Sequence, residues 1–144
     1  MADIVSAEKR SQMMAGIKGK NTKPELLVRR ALHHRGFRFR LHKRELPGRP
    51  DIVLPRYKAA IFVNGCFWHG HTCKYFKLPA TNTEFWRDKI GANQERDELK
   101  TKQLINLGYT VLRIWECQTR AGSESFDALI DIVAANLRRD ELRD

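Results

Sequence analysis

Ala59-Ala60-Ile61-Phe62-Val63 is the longest unbroken apolar run in the chain, and it opens directly into Asn64-Gly65-Cys66-Phe67-Trp68-His69-Gly70-His71-Thr72-Cys73. A strand with no polar alternation belongs in the middle of a sheet covered on both faces. The run is therefore the central strand, and the glycine-bearing loop after it is delivered to one end of the sheet. Two adjacent aromatics, two histidines and two of the chain's three cysteines stand in that loop. Core packing alone does not ask for such a mixture.

The flanking segments supply the rest of an α/β domain. Thr22-Lys23-Pro24-Glu25 reads as a helix start, with Thr22 as N-cap, Pro24 in the first turn and Glu25 completing a capping box. That helix turns Leu27, Val28, Ala31 and Leu32 toward a core and stops at Gly36. Phe37 to His42 alternates apolar and basic, as a strand with one buried and one cationic face does. Asp51-Ile52-Val53-Leu54 is a short strand, and Thr83 caps a charged helix that Gly108 ends. Tyr109 to Trp115 is another apolar strand, running into Glu116-Cys117, and the last helix carries Phe126, Leu129, Ile130, Val133 and Leu137 as one stripe. The order predicts a mixed sheet flanked by helices on both faces, with residues 21–144 as one domain. Residues 1–20 are basic and polar, with Met13, Met14 and Ile17 on one helical face, and read equally as a helix docked loosely on the domain or as an N-terminal arm contacting DNA.

Charge narrows the partner. The 144 residues carry 27 Lys and Arg against 17 Asp and Glu, a formal +10, which suits a polyanion and puts nucleic acid first. A membrane surface is disfavoured, since no apolar run is long enough to span and no basic amphipathic helix with a broad apolar face stands out. Met1 to Ser6 lacks a basic segment leading into an apolar one, so a cytoplasmic location is expected. Thiols there stay reduced, and an odd count of three cysteines favours metal or catalysis over a disulfide framework.

Cys66, His71 and Cys73 offer three metal ligands within the loop, and Cys117 lies just past a strand that can neighbour the central one. Together they make a Cys₃His set, the pattern of structural zinc. The His-x-Glu and Pro-Cys-x-x-Cys signature of a zinc deaminase is absent. Asp51 follows a proline at a strand start, where a carboxylate, a main-chain carbonyl and water can hold Mg²⁺. His69 is then placed to pass a proton in hydrolysis of a phosphodiester. Phe67 and Trp68, with Trp86 on the next helix, can act as a wedge between base pairs. Taken singly each residue has a plainer reading: a turn-closing Asp51, a loop histidine, aromatics packed on their neighbours. Their meeting in one loop of a +10 chain favours the chemical one.

These residues resemble the very short patch repair (Vsr) endonucleases of bacteria. The likeness is carried by Leu46-Pro47-Gly48-Arg49-Pro50-Asp51, Gly65-Cys66-Phe67-Trp68-His69, His71, Cys73, Pro79-Ala80-Thr81, Thr83-Glu84-Phe85-Trp86, Lys89-Ile90-Gly91, Asn93, Glu95-Arg96-Asp97 and Trp115-Glu116-Cys117. It covers nearly everything from Lys9 to Cys117. The resemblance implies a restriction-endonuclease-like fold with a structural zinc site. It also implies a Mg²⁺-dependent nick 5′ of the thymine in a T·G mismatch left by deamination of 5-methylcytosine. By the same resemblance Asp51 ligates Mg²⁺ with the Val63 main-chain carbonyl, His69 transfers the proton and Glu25 orients water around the metal. Zinc falls to Cys66, His71, Cys73 and Cys117. Phe67, Trp68 and Trp86 intercalate, Met14 approaches from the minor groove, and Lys89 and Asn93 contact the mismatch. The expected partner is duplex DNA bound by a monomer, with a MutL-type repair protein as the one protein partner the family brings in. Relatives often have Thr-His where this chain has Val63-Asn64, and Asn64 has no imidazole to move a proton. Two other readings stay in view: a zinc-stabilised DNA-binding module without catalysis, and a restriction-type or structure-specific nuclease with another target.

Overall fold

The computed structural model describes residues 21–74 and 76–143. The arm expected over residues 1–20, with Met14, lies outside the described residues. Helix α1 (Lys23–His34) starts as its sequence asks, Thr22 Oγ1 accepting from the Glu25 N–H at 3.4 Å and Pro24 standing in the first turn. It ends in a Schellman turn: Gly36 takes φ +84°, its N–H donates to the His33 carbonyl, and the Phe37 N–H donates to that of Leu32. The long helix α2 (Thr83–Asn106) closes the same way, with Gly108 at φ +91° and the Tyr109 N–H donating to the Leu104 carbonyl.

Strands β1 (Arg40–Leu41), β2 (Ile52–Leu54), β3 (Ala59–Asn64) and β4 (Thr110–Trp115) form one sheet in the order β1-β2-β3-β4. The first two pairings are antiparallel and the third is parallel. After β4 come a short helix α3 (Glu116–Thr119) and the final helix α4 (Ser123–Arg143). The central position of β3 follows from its side chains. Ala59 and Ile61 join Val28 and Leu32 of α1 and Ile130 and Leu137 of α4 in the larger core. Ala60 and Phe62, pointing the other way, pack with Leu104 of α2. Both faces of the sheet are covered, as the unalternated run requires. This is the mixed α/β architecture expected of a restriction-endonuclease-like fold. No described helix is long and apolar enough to cross a membrane.

Two local expectations change. The alternation over Phe37 to His42 gives a strand only at Arg40–Leu41, the two residues that pair with β2, and the strand ends where His42 turns left-handed at φ +47°. Thr83 is the first residue of α2 rather than its cap. The cap is Asn82, left-handed at φ +57°, while the Thr83 hydroxyl donates to the carbonyls of Pro79 and Ala80 at 2.8 and 3.1 Å.

Candidate active site and metal centre

Parallel pairing of β3 with β4 sets Asn64 opposite Trp115. Two residues further along each chain stand Cys66 and Cys117, and the Cys117 N–H donates to Cys66 Sγ at 3.4 Å. The intervening loop is wound tightly on its own backbone: the His69 N–H donates to the Gly65 carbonyl at 3.3 Å and that of His71 to Cys66 at 2.9 Å. The His71 ring stacks on Trp115, centroids 4.1 Å apart and planes 7° from parallel, with Nδ1 3.5 Å from Cys117 Sγ. One ligand atom from each of Cys66, His71, Cys73 and Cys117 lies within 4.8 Å of the others. Burial pushes the Cys66 thiol up to about 12 and raises that of Cys117 as well. A thiolate at so dry a position calls for a cation, and the donor set fits a closed four-coordinate metal.

A second convergence lies on the far side of β3. Ile52 pairs with Ile61, so β3 outruns β2 at Val63, and Asp51 Oδ2 takes the free Val63 N–H at 2.7 Å. Glu25, only 1% exposed, keeps the backbone half of its cap but turns its carboxylate inward. That carboxylate accepts from Arg29 and meets His42 Nε2 at 2.8 Å. The His42 N–H in turn donates to the Asp51 main-chain carbonyl at 3.1 Å. Ligand atoms of Glu25, His42 and Asp51 lie within 4.8 Å of one another, so two carboxylates and an imidazole also fit a divalent cation.

His69 pairs with Asp97 of α2, through a hydrogen bond at Nδ1. Helix α2 grips the loop from one face: Asn93 Nδ2 donates to the Trp68 carbonyl at 2.9 Å, and Gln94 Nε2 to those of His69 and Gly70 at 3.2 and 3.3 Å. Arg113 of β4 donates to the Asp97 carbonyl at 3.1 Å and to the Thr101 hydroxyl, and lies over the Phe62 ring. Burial lowers its pKa, while the charges of Asp97 and Asp51 pull it back up. Asn64, His69, Asp97, Arg113 and Trp115 line a cleft of about 400 Å³. Asn64 is buried there and its Nδ2 has no hydrogen-bond partner among the described residues.

Phe67, Trp68 and Trp86 form an edge-on triangle with centroids 5.1 to 5.8 Å apart. Lys89, half-buried, lies on α2 between Trp86 and Asn93. Sequence reasoning missed His42, Arg29, Gln94 and Arg113 as parts of the site. Asp97 had a signal, since it stands in the family-like run Glu95-Arg96-Asp97, but nothing local joins it to His69.

Asp51 has a measurable consequence. Burial first, then the charge of Glu25 and its hydrogen bond, push the carboxyl up from 3.8 to about 6, against the opposing Val63 N–H and His42. The folded chain therefore holds a proton that the unfolded chain has lost between those two values. Stability contributed by this group is full below pH 4 and is lost as pH rises to about 6, a cost of about 3 kcal/mol at neutral pH. Urea titrations without divalent ions should show wild type falling relative to Asp51→Asn across that window; parallel profiles would contradict the burial.

A family model described as DNA mismatch endonuclease Vsr matches residues 2–75. The type II nicking enzyme V.XorIIP of Xanthomonas oryzae is 46% identical over 118 residues, 82% of this chain and 87% of that protein. V.NmeAIP, a type II nicking enzyme of Neisseria meningitidis, is 45% identical over 120 residues, 83% of this chain and 86% of its own. The DNA mismatch endonuclease Vsr of Escherichia coli is 44% identical over 127 residues, covering 88% and 81%. With a carboxylate group, a histidine–aspartate pair and a Cys₃His cluster gathered around β3, and with likeness at this level over most of its length, the chain belongs to the Vsr family of DNA endonucleases.

Proposed function

We propose that the protein nicks duplex DNA immediately 5′ of the thymine in a T·G mismatch, with Mg²⁺ at Asp51 and zinc at the Cys₃His cluster. The reading is carried by the His69–Asp97 pair in the loop that follows β3, taken with the Asp51 carboxylate bonded to Val63 near the end of that strand and with the three aromatics clustered at the loop.

Each residue's part follows from its contacts. Asp97 takes the Nδ1 side of His69 and leaves Nε2 to exchange a proton with an oxygen of the reacting phosphodiester or its attacking water. Asp51 has one oxygen committed to the Val63 N–H, and we assign its carboxylate and the Val63 main-chain carbonyl as the pair that would hold the ion. Mg²⁺ held there would supply charge to polarise the phosphate and make a bound water more acidic. Glu25, fixed by Arg29 and His42, stands at hand to orient water. Asn64 offers its unpartnered Nδ2 as a donor to phosphate oxygen rather than as a proton carrier. Zinc would fix the loop that carries Phe67, Trp68 and His69. Those two aromatics and Trp86 insert beside the mismatch, while Lys89 contacts it and Asn93 acts partly through its bond to the Trp68 carbonyl. Residues 1–20, with Met14, reach the opposite groove. The setting we propose is the bacterial cytoplasm, the enzyme acting as a monomer with a MutL-type protein as its repair partner.

Strand cleavage of a labelled duplex with one T·G mismatch, beside the matched duplex and with or without Mg²⁺, tests the proposal. A single Mg²⁺-dependent nick 5′ of the thymine is expected only in the mismatched strand. Equal cutting of both duplexes would move the target to a restriction-type site, and no cutting despite tight binding would favour a binding module.

Asp97 is a positioning residue in this scheme. Asp97→Asn should lower kcat by about 10- to 100-fold, the usual effect of losing the partner that orients a histidine, and should displace the pH profile of kcat while KM holds. An unchanged pH profile would assign Asp97 to loop packing alone.

A further inference from the structure

His42 has no part in the reaction as described, yet it stands inside the carboxylate group. Its position is set by the fold. Leu41 pairs with Ile52, the next N–H is bonded to the Asp51 carbonyl, and the left-handed turn at φ +47° then swings the side chain out of the strand's alternation. The imidazole ends only 13% exposed, with Nε2 2.8 Å from Glu25 Oε2. Continued alternation would have kept it with Arg38 and Arg40 on the cationic face.

We propose that His42 is a direct ligand of the catalytic divalent ion, and that its nitrogen tilts the site toward a first-row transition ion such as Mn²⁺ or Co²⁺ over Mg²⁺. The inference rests on the reading of Asp51 as the metal carboxylate. Three observations support it. The first is spacing: adjacent donors on an ion with bonds of about 2.1 Å stand roughly 3 Å apart, and opposite donors roughly 4.2 Å apart. The 2.8 Å hydrogen-bond separation of His42 and Glu25 is also that of adjacent donors, and the ligand atoms of all three residues lie within 4.8 Å of one another, a little wider than the largest donor separation on such an ion. The second is charge. Glu25 and Asp51 bring two carboxylates together in a buried place, and Arg29 already presents a cation to Glu25 Oε2, 3.4 Å from His42 Nε2. An imidazole adds a donor to that group without adding negative charge. The third is donor chemistry: all-oxygen sites suit Mg²⁺ and Ca²⁺, whereas an imidazole nitrogen favours the transition ions later in the divalent series.

Pulsed electron paramagnetic resonance of Mn²⁺ bound to the zinc-loaded protein reads a directly bound nitrogen. Nitrogen coupling is expected in wild type and in His69→Gln, and its loss in His42→Asn, a residue that tolerates the left-handed backbone. The ratio of Mn²⁺ to Mg²⁺ affinity should fall about ten-fold in His42→Asn, because the nitrogen donor that favours the transition ion is gone. Isotope-labelled histidine in the His69→Gln background gives the same reading should His42→Asn fail to fold. Mn²⁺ binding that disappears in Asp51→Asn but shows no nitrogen coupling would overturn the role of His42 and leave the endonuclease reading intact. Mn²⁺ binding indifferent to Asp51→Asn would instead remove the metal from Asp51 altogether.

Discussion

Asp51→Asn should bind T·G duplex as wild type does and fail to cut it, with the nicking rate down by about 10³-fold or more. The size follows from what a metal carboxylate contributes to a phosphoryl transition state, several kcal/mol, each 1.4 kcal/mol being about ten-fold in rate. Two features make the variant informative. Asparagine keeps an oxygen to accept the Val63 N–H, so the junction where β3 outruns β2 survives. The wild-type carboxyl, raised to about 6 by burial, costs the ion-free fold free energy at neutral pH, so its removal should stabilise. A dead enzyme with a higher melting temperature cannot be explained by unfolding, the pattern expected of a residue kept for activity at the expense of stability. Binding should hold or tighten, since a negative charge beside phosphate is gone. Gel-shift affinity and single-turnover cleavage on one substrate decide it: cutting at wild-type rate would strip Asp51 of its role, and lost binding would mean that the carboxylate shapes the DNA surface.

The architecture was legible because its signals are local and agree with one another. An unalternated run at Ala59 to Val63, glycines at the helix ends and an apolar stripe on the last helix each report one element, and together they admit few arrangements. The Cys₃His set was legible for a related reason: three ligands share one loop, and parallel pairing in register carries Cys117 to Cys66. The carboxylate group was only half legible. Glu25 satisfies a capping-box pattern, and that local reading hid its inward turn, since one N–H bond to Thr22 suffices for the cap while the side chain does something else. His42 sat in an alternation that a single left-handed residue breaks. Asp97 is 28 residues from His69 and meets it only because α2 lies along the loop, a contact that periodicity cannot report.

Removing the Cys₃His metal should disable the enzyme without dissolving its core. Buried residues of the larger core come from α1, β2, β3, β4 and α4, with Phe37 after α1, and the loop from Gly65 to Cys73 contributes none. A metal at these four residues would close the link between the end of β3 and the start of α3, through Cys66 and Cys117, with His71 and Cys73 holding the loop between. Phe67, Trp68 and His69 all ride on that loop, so the wedge and the proton carrier should lose their places together. Cys73→Ala is the cleaner substitution, because Cys66 is fully buried and replacing it would also open a cavity. The variant should retain most of its far-ultraviolet helical signal and melt lower by on the order of 10 °C or more, since metal that binds only the folded state stabilises it by several kcal/mol. Nicking should fall below detection, with tryptophan fluorescence reporting the loosened triangle of Phe67, Trp68 and Trp86. An unaltered melting temperature together with full activity would reduce the four residues to a packed cluster of thiols. Complete unfolding would show instead that the two cores cannot hold the sheet unless the ends of β3 and β4 are tied.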